Sequence, residues 1–264
     1  MKRYDGVIIC SDFDGTLYDG LTQEISAENA EAIRYFQEHG GRFTLATGRY
    51  PNILEKKADR VRGVRANAPV IAANGCLVYD LEKKETLYSV CLDEKFPRVL
   101  AEVIDSFDRF DQILFFRKNI WKSIEIPREE RDELMRQGGL LPHKVYIKLT
   151  LPDDPVAELE ESDRIKEEML RLIDGRYEVM RASVAGLELL PLGVTKGSYV
   201  RKLADSLGCD KLICVGDYEN DIAMIKAADI GYAMGNAHPS LFDVADRIAP
   251  SVEKSAIAKI IYEL

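Results

Sequence analysis

The sequence predicts an α/β protein: a doubly wound, Rossmann-like parallel sheet into which an α+β cap domain is inserted. Three observations predict it. Short β-branched apolar runs alternate with helical stretches in the first and last parts of the chain. The middle instead carries a strand that alternates strictly between apolar and polar residues. Acidic or hydroxyl-bearing motifs directly follow the strands of the outer parts, where ligands bind in a parallel sheet.

The elements follow in order. Val7-Ile8-Ile9-Cys10 reads as a buried parallel strand. A helix follows, with Ser26 as N-cap, Glu28 in its first turn and Gly40-Gly41 as its stop. Phe43–Ala46 is a second strand, Asn52–Val61 a helix and Val70–Ala73 a third strand. After the middle segment, Thr195 is expected to cap a helix whose Val200, Leu203, Ala204 and Leu207 share a face and which Gly208 ends. Leu212–Val215 and Ile230–Ala233 are strands flanking a helix over Ile222–Ala227. In the middle, Val145, Ile147, Leu149 and Leu151 face one way, and Lys144, Tyr146, Lys148 and Thr150 the other. Ile113–Phe116, Ile120–Ile126, Tyr177–Ala182 and Leu187–Leu190 are further strands, and Pro155–Leu172 is an amphipathic helix. The expected division is a core of residues 1–83 and 188–264 with a cap of residues 84–187.

Composition narrows the function classes. With 264 residues the chain can bury a large core and is near the size at which chains divide. The net charge of −9, with no local basic patch, argues against nucleic acid and anionic membranes as partners. No apolar stretch approaches the roughly 20 residues that span a bilayer, and Val7–Cys10 is too short for a signal-peptide core. Five cysteines without a CxxC pair read as reduced, buried thiols of a cytoplasmic protein. His39, His143 and His238 lack ligand spacing and read as surface or structural residues. There is no GxSxG elbow and no Walker lysine motif.

Four motifs carry chemistry. Asp12-Phe13-Asp14-Gly15-Thr16-Leu17 follows the first strand, and residues i and i+2 of an extended segment point the same way. Two such carboxylates need a cation or a shared proton, and Gly15 permits a turn whose amides approach phosphate. Thr47-Gly48-Arg49 follows the second strand with a hydroxyl and free amides. Lys196 sits at a helix start, a place unfavourable to a cation unless an anion lies between them. Gly216-Asp217-Tyr218-Glu219-Asn220-Asp221 follows another strand; Asn220 or Asp221 could cap the next helix, whereas Asp217 suits a hard cation such as Mg²⁺. All four lie on one edge of one predicted sheet.

These residues, with Asn74-Gly75 and Ala233-Met234-Gly235-Asn236-Ala237, resemble the haloacid dehalogenase superfamily over nearly the whole chain, most of all its Cof-type phosphatases with a large α/β cap. The resemblance implies that Asp12 attacks phosphorus and that Asp14 protonates the leaving oxygen and then activates water. It implies Mg²⁺ held by Asp12, the Asp14 backbone carbonyl and Asp217, with Asp221 supporting the metal shell and the lysine. Thr47, Gly48, Lys196 and Asn220 bind the phosphoryl group in this reading. Arg49, Asn74, Lys144 and Lys148 are candidates to face the substrate. Tyr218 stands where the family often has a small residue. The expected substrate is a small phosphorylated metabolite, a sugar phosphate or similar, and the expected state a monomer or weak homo-oligomer. A phosphomutase of sugar phosphates would share all four motifs, and a non-catalytic sugar-phosphate sensor is the third reading.

Overall fold

The computed structural model describes residues 2–56, 63–106, 110–117, 123–125 and 142–264. The chain forms two compact units, Met1–Tyr88 with Thr195–Leu264, and Ser89–Val194. In chain order the first unit begins with β1 (Val7–Ser11), α1 (Ala27–Glu38), β2 (Arg42–Leu45), α2 (Pro51–Lys56), β3 (Val70–Ala72), β4 (Leu77–Asp80) and β5 (Glu85–Ser89). The second unit holds α3 (Phe96–Ser106), β6 (Phe110–Arg117), β7 (Ser123–Glu125), β8 (Pro142–Leu149), α4 (Pro155–Ile173), β9 (Tyr177–Ser183) and β10 (Gly186–Pro191). The first unit resumes with α5 (Gly197–Ser206), β11 (Lys211–Gly216), α6 (Ile222–Ala227), β12 (Ile230–Ala233), α7 (Pro239–Phe242), β13 (Arg247–Ile248) and α8 (Ala256–Glu263).

The central sheet of the first unit runs β13-β12-β11-β1-β2, parallel throughout. Its inner strands β1 and β11 are apolar runs because both faces are covered. Ile8, Cys10, Leu212 and Cys214 pack with Val200, Leu203 and Ala204 of α5 and with Met224 and Ile225 of α6. Strand order falls away from β1 towards β2 and from β11 towards β12, so right-handed crossovers put α1 and α6 on opposite faces. Ser26 caps α1 by accepting from the Asn29 amide at 3.1 Å, worth about 1 kcal/mol. The Asn29 side-chain oxygen in turn accepts from Ala258 N of α8 at 2.9 Å, tying the two helices together.

The register sets the site. Cys10 pairs with Cys214 and Ser11 with both Val215 and Leu45. Asp12, Thr47 and Asp217 therefore leave the same edge of the sheet within a residue or two of one another. A parallel bridge from Ala46 to Ile71 joins β2 to a second, three-stranded sheet of order β3-β4-β5.

The second unit is a five-stranded antiparallel sheet of order β7-β6-β8-β10-β9. Val145, Ile147 and Leu149 of β8 form its core with Leu187 and Leu189 of β10, Phe96 and Leu100 of α3, and Ile165 and Met169 of α4. The alternation read in β8 thus gives the covered face.

Several expectations change. The boundaries move from 83/84 and 187/188 to Tyr88/Ser89 and Val194/Thr195. The reason is β10, which is hydrogen-bonded to β8 on one side and β9 on the other and cannot be divided at Leu187. Lys144 is not an open cation of the cap: it is 2% exposed and its Nζ lies 2.5 Å from Oε1 of Glu188, itself 4% exposed. Lys148, four residues on, is exposed. Of the thiols, Cys91 is half-buried and the other four are buried, and none of the five forms a disulfide. His143 is buried, with Nε2 3.0 Å from the Ser89 hydroxyl. Thr195 does not cap α5 with its side chain; its amide instead donates to the Ser198 hydroxyl at 2.8 Å, and the helix begins at Gly197. The expected helix over Asn52–Val61 is present as α2 to Lys56, its remainder lying outside the described residues. Of the strand expected over Ile120–Ile126, Ser123–Glu125 is described. No helix among the described residues is long and apolar enough to cross a membrane.

Candidate active site

Asp12 follows β1 and is buried, 5% exposed. Its amide donates to Val215 O at 2.9 Å, which continues the β1–β11 ladder by one residue and fixes where the carboxylate emerges. Lys196 Nζ lies 2.6 Å from Asp12 Oδ1 and 2.7 Å from Asp221 Oδ1, with the ammonium fully buried. Gly197 lets α5 bring this lysine in, because a Cβ there would overlap the backbone of Ala223 and Met224. Asp221 is 0% exposed and uses its other oxygen, Oδ2, to accept from the amides of Asp217 at 3.0 Å and Tyr218 at 3.1 Å. It braces the turn after β11 and gives α6 no side-chain cap.

Asp217 completes the cluster. Its Oδ1 accepts from the Thr16 hydroxyl at 2.7 Å. Gly15, at φ 78°, lets the turn close on Asp217, since a Cβ there would overlap its carboxylate. Sequence reasoning quoted Thr16 without giving it a role; the signal was its place in Asp14-Gly15-Thr16, one turn from the second carboxylate. Asn236, read only as part of a signature, donates to Gly15 O at 2.9 Å and accepts from Val252 N at 2.9 Å, tying the same turn to the C-terminal segment.

The electrostatics follow from burial. Burial pushes the Asp12 carboxyl well above the usual carboxylate range; Lys196 opposes this, and Asp221 and Asp217 add to it. Burial, then Asp221, pushes Asp217 up to about 6, against the Thr16 hydrogen bond and Lys196. Burial pulls the Lys196 ammonium down, and Asp12 and Asp221 more than reverse this, leaving it raised. Oxygen atoms of Asp12, Asp217 and Asp221 all lie within 4.8 Å of one another, with one buried ammonium among them. Three carboxylates against one lysine leave an uncompensated negative charge, and oxygen-only donors at this spacing fit a hard divalent cation such as Mg²⁺.

The remaining predicted residues form two further groups. Arg49 does not stand open to a substrate: its Nε and Nη2 donate to Asp14 Oδ2 and Oδ1 at 2.5 and 2.6 Å, a bidentate pair. The Asp14 side chain is 47% exposed. Phe13 lies beneath the guanidinium, 5.7 Å from its ring centroid, and stacks on Tyr18. Thr47 is buried and accepts from Arg49 N at 3.2 Å. Asn220 donates from Nδ2 to Asn74 Oδ1 at 3.2 Å, and the Asn74 carboxamide lies against Gly48. Asn74, expected as a substrate contact, is 1% exposed. Tyr218 packs edge-on against His238, 5.5 Å between ring centroids. Lys144 and Lys148 belong to the second unit.

Residues 9–261 match the haloacid dehalogenase-like hydrolase family. The chain belongs to that family. Within it, the chain is a Cof-type phosphatase. It is 28% identical over 264 residues to the 5-amino-6-(5-phospho-D-ribitylamino)uracil phosphatase YcsE of Bacillus subtilis, covering 96% of this chain and 94% of that one. It is 30% identical over 236 residues to the phosphoglycolate phosphatase of Pyrobaculum aerophilum, covering 88% and 84%. A subclass IIB sugar phosphatase shares the fold at a TM-score of 0.76 with 19% identity, over 97% of this chain and 98% of that one. The two-unit architecture of this haloacid dehalogenase-like phosphatase is thus that of its family, a parallel core with an antiparallel cap inserted.

Proposed function

We propose that this phosphatase hydrolyses small phosphorylated metabolites, sugar phosphates or similar, through a phosphoaspartate on Asp12 with Mg²⁺ as cofactor. The observation that carries the reading is Asp12 itself: a carboxylate buried against Lys196, with Asp217 beside it and a negative charge left over. Asp12, the backbone carbonyl of Asp14 and Asp217 would hold the cation, with Asp221 supporting the turn and the lysine. When bound, Mg²⁺ supplies positive charge against which a carboxylate nucleophile and a phosphoryl group can approach.

The rest is done by the chain's own residues. An Asp12 oxygen attacks phosphorus and the bond to the leaving oxygen breaks. The leaving oxygen takes a proton from Asp14; water then attacks the phosphoaspartate, returns a proton to Asp14 and frees phosphate. Lys196, the Thr47 hydroxyl, the Gly48 amide and Asn220 hold the phosphoryl oxygens, and the work is positioning and electrostatics. Asp14 serves this role when it leaves the Arg49 fork. Both named relatives act, by their names, on small phosphorylated metabolites, which supports the same substrate class here. Lys148, exposed on the cap, is the cap residue we retain for contact with an anionic or polyol leaving group. Five cysteines without a disulfide among them support a reducing compartment, the cytoplasm.

A panel of phosphorylated metabolites incubated with Mg²⁺ and read by phosphate release tests the proposal. Release from several members is expected, and Asp12→Asn is expected to abolish it on every one. Turnover surviving Asp12→Asn would overturn the mechanism. Conversion of a sugar phosphate to its isomer without phosphate release would replace the hydrolase with a mutase.

A further inference from the structure

The segment Ala73-Asn74-Gly75 is unlike the rest of the backbone. Its φ values are 51°, 55° and 101°, the only run of three left-handed residues among the described residues. One of them is alanine, which has no side-chain hydrogen bond with which to offset that conformation. All three are buried. A costly, fully buried backbone persists where its surroundings over-determine it, and such places cluster at functional sites.

The surroundings here are three of the four motif loops. Ala73 N donates to Arg49 O and Asn74 N to Thr47 O, each at 3.0 Å, so the turn grips the loop after β2 from behind. Gly75 abuts the Thr195 carbonyl, where any Cβ would overlap it, directly before Lys196. The Asn74 side chain accepts from Asn220 Nδ2 in the loop after β11. It also lies so close to Gly48 that a Cβ on that residue would come within 3.2 Å of Asn74 Nδ2. The left-handed ψ of 34° at Asn74 is what turns its carboxamide towards both loops while its amide serves the first.

We infer that Asn74 is a positioning residue that sets the loops after β2 and β11 at a common distance, acting on the phosphoryl group through Asn220 and Gly48. The inference rests on the phosphatase reading above and goes beyond it, because it assigns a role to a buried residue that touches no substrate atom.

The test is a double-mutant cycle on the full chain with Mg²⁺. Wild type, Asn74→Ala, Asn74→Gly, Asn220→Ala and Asn74→Ala/Asn220→Ala are assayed on p-nitrophenyl phosphate and on alkyl phosphates below their melting temperatures. Asn74→Ala is expected to lose about tenfold in kcat/KM, equally for every leaving group, since the phosphoryl group is common to all. Asn74→Gly keeps the left-handed turn without the carboxamide and is expected to lose as much. In the Asn220→Ala background the further loss is expected to fall below about twofold. Full activity in Asn74→Gly, or losses that multiply in the double variant, would overturn the inference. A wild type silent on every ester would sink the phosphatase reading instead. The cycle is then read from the melting-temperature shift produced by inorganic phosphate, where the same non-additivity is expected and additivity counts against Asn74.

Discussion

Asp217 shows how one buried side chain sets a pH dependence. Its ordinary value of 3.8 rises to about 6 on folding. Without a cation, the folded chain therefore holds a proton between those values that the unfolded chain has already lost. Folding stability falls as pH rises through this window, by on the order of 3 kcal/mol once above it. Asp12, raised by burial as well, adds to the trend. A bound cation replaces the proton, so its stabilising effect must grow as pH rises through 6. The expected result is a larger Mg²⁺-induced rise in Tm at about pH 7.5 than at about pH 5.5; equal rises would mean that the cation binds elsewhere. Asp12 and Asp217 were legible in the sequence because a residue just past a buried parallel strand can only emerge at the ligand-binding edge. The Arg49–Asp14 pair was not legible, since the direction of a long side chain depends on what meets it in space. Nor was the left-handed Ala73, for no residue type at that position announces φ above zero.

At the scale of elements, β8 and β10 carry an ion pair that alternation alone cannot describe. Period-two patterning assigned Val145, Ile147 and Leu149 to a covered face, and that is where they lie. It assigned Lys144 to the other face and left open what covers that face; the residue is buried, paired to Glu188. The pattern reports the parity of a strand and says nothing of its second neighbour layer. Lys144→Met is expected to destabilise the chain by about 3–5 kcal/mol, because Glu188 keeps its charge without its partner. Lys144→Met/Glu188→Leu is expected to recover most of that loss, since replacing both members of a buried pair by apolar residues is close to neutral. Urea unfolding of the two variants measures both numbers, and a double variant no better than the single would show that the ion pair itself holds the strands.

At the scale of the molecule, each unit owns a separate apolar core, one around the β1–β11 sheet and one around β8 and β10. The residues proposed to hold the cation, Asp12, Asp14 and Asp217, belong to the first unit alone. Scanning calorimetry is expected to resolve two transitions, of which Mg²⁺ raises one and leaves the other in place. A single transition that moves as a whole would mean that the units unfold together. The architecture was legible because strand–helix alternation stops and later resumes along the chain. The borders were not, because β10 carries the same apolar signature as a core strand and only its partners reveal where it belongs.

The register of β1 has a consequence for how the chain is made. Val7 pairs with Lys211, so β1, an inner strand of the sheet, waits for its neighbour until about two hundred further residues have been made. The cap, closed within Ser89–Val194, is complete before that neighbour is synthesised. Until then β1 and β2 present a naked apolar edge, the kind of template that invites pairing with another chain. Growth conditions that slow elongation late in the message thus lengthen the exposure of that edge, and the yield of soluble protein should respond to translation speed more than to the stability of the finished fold.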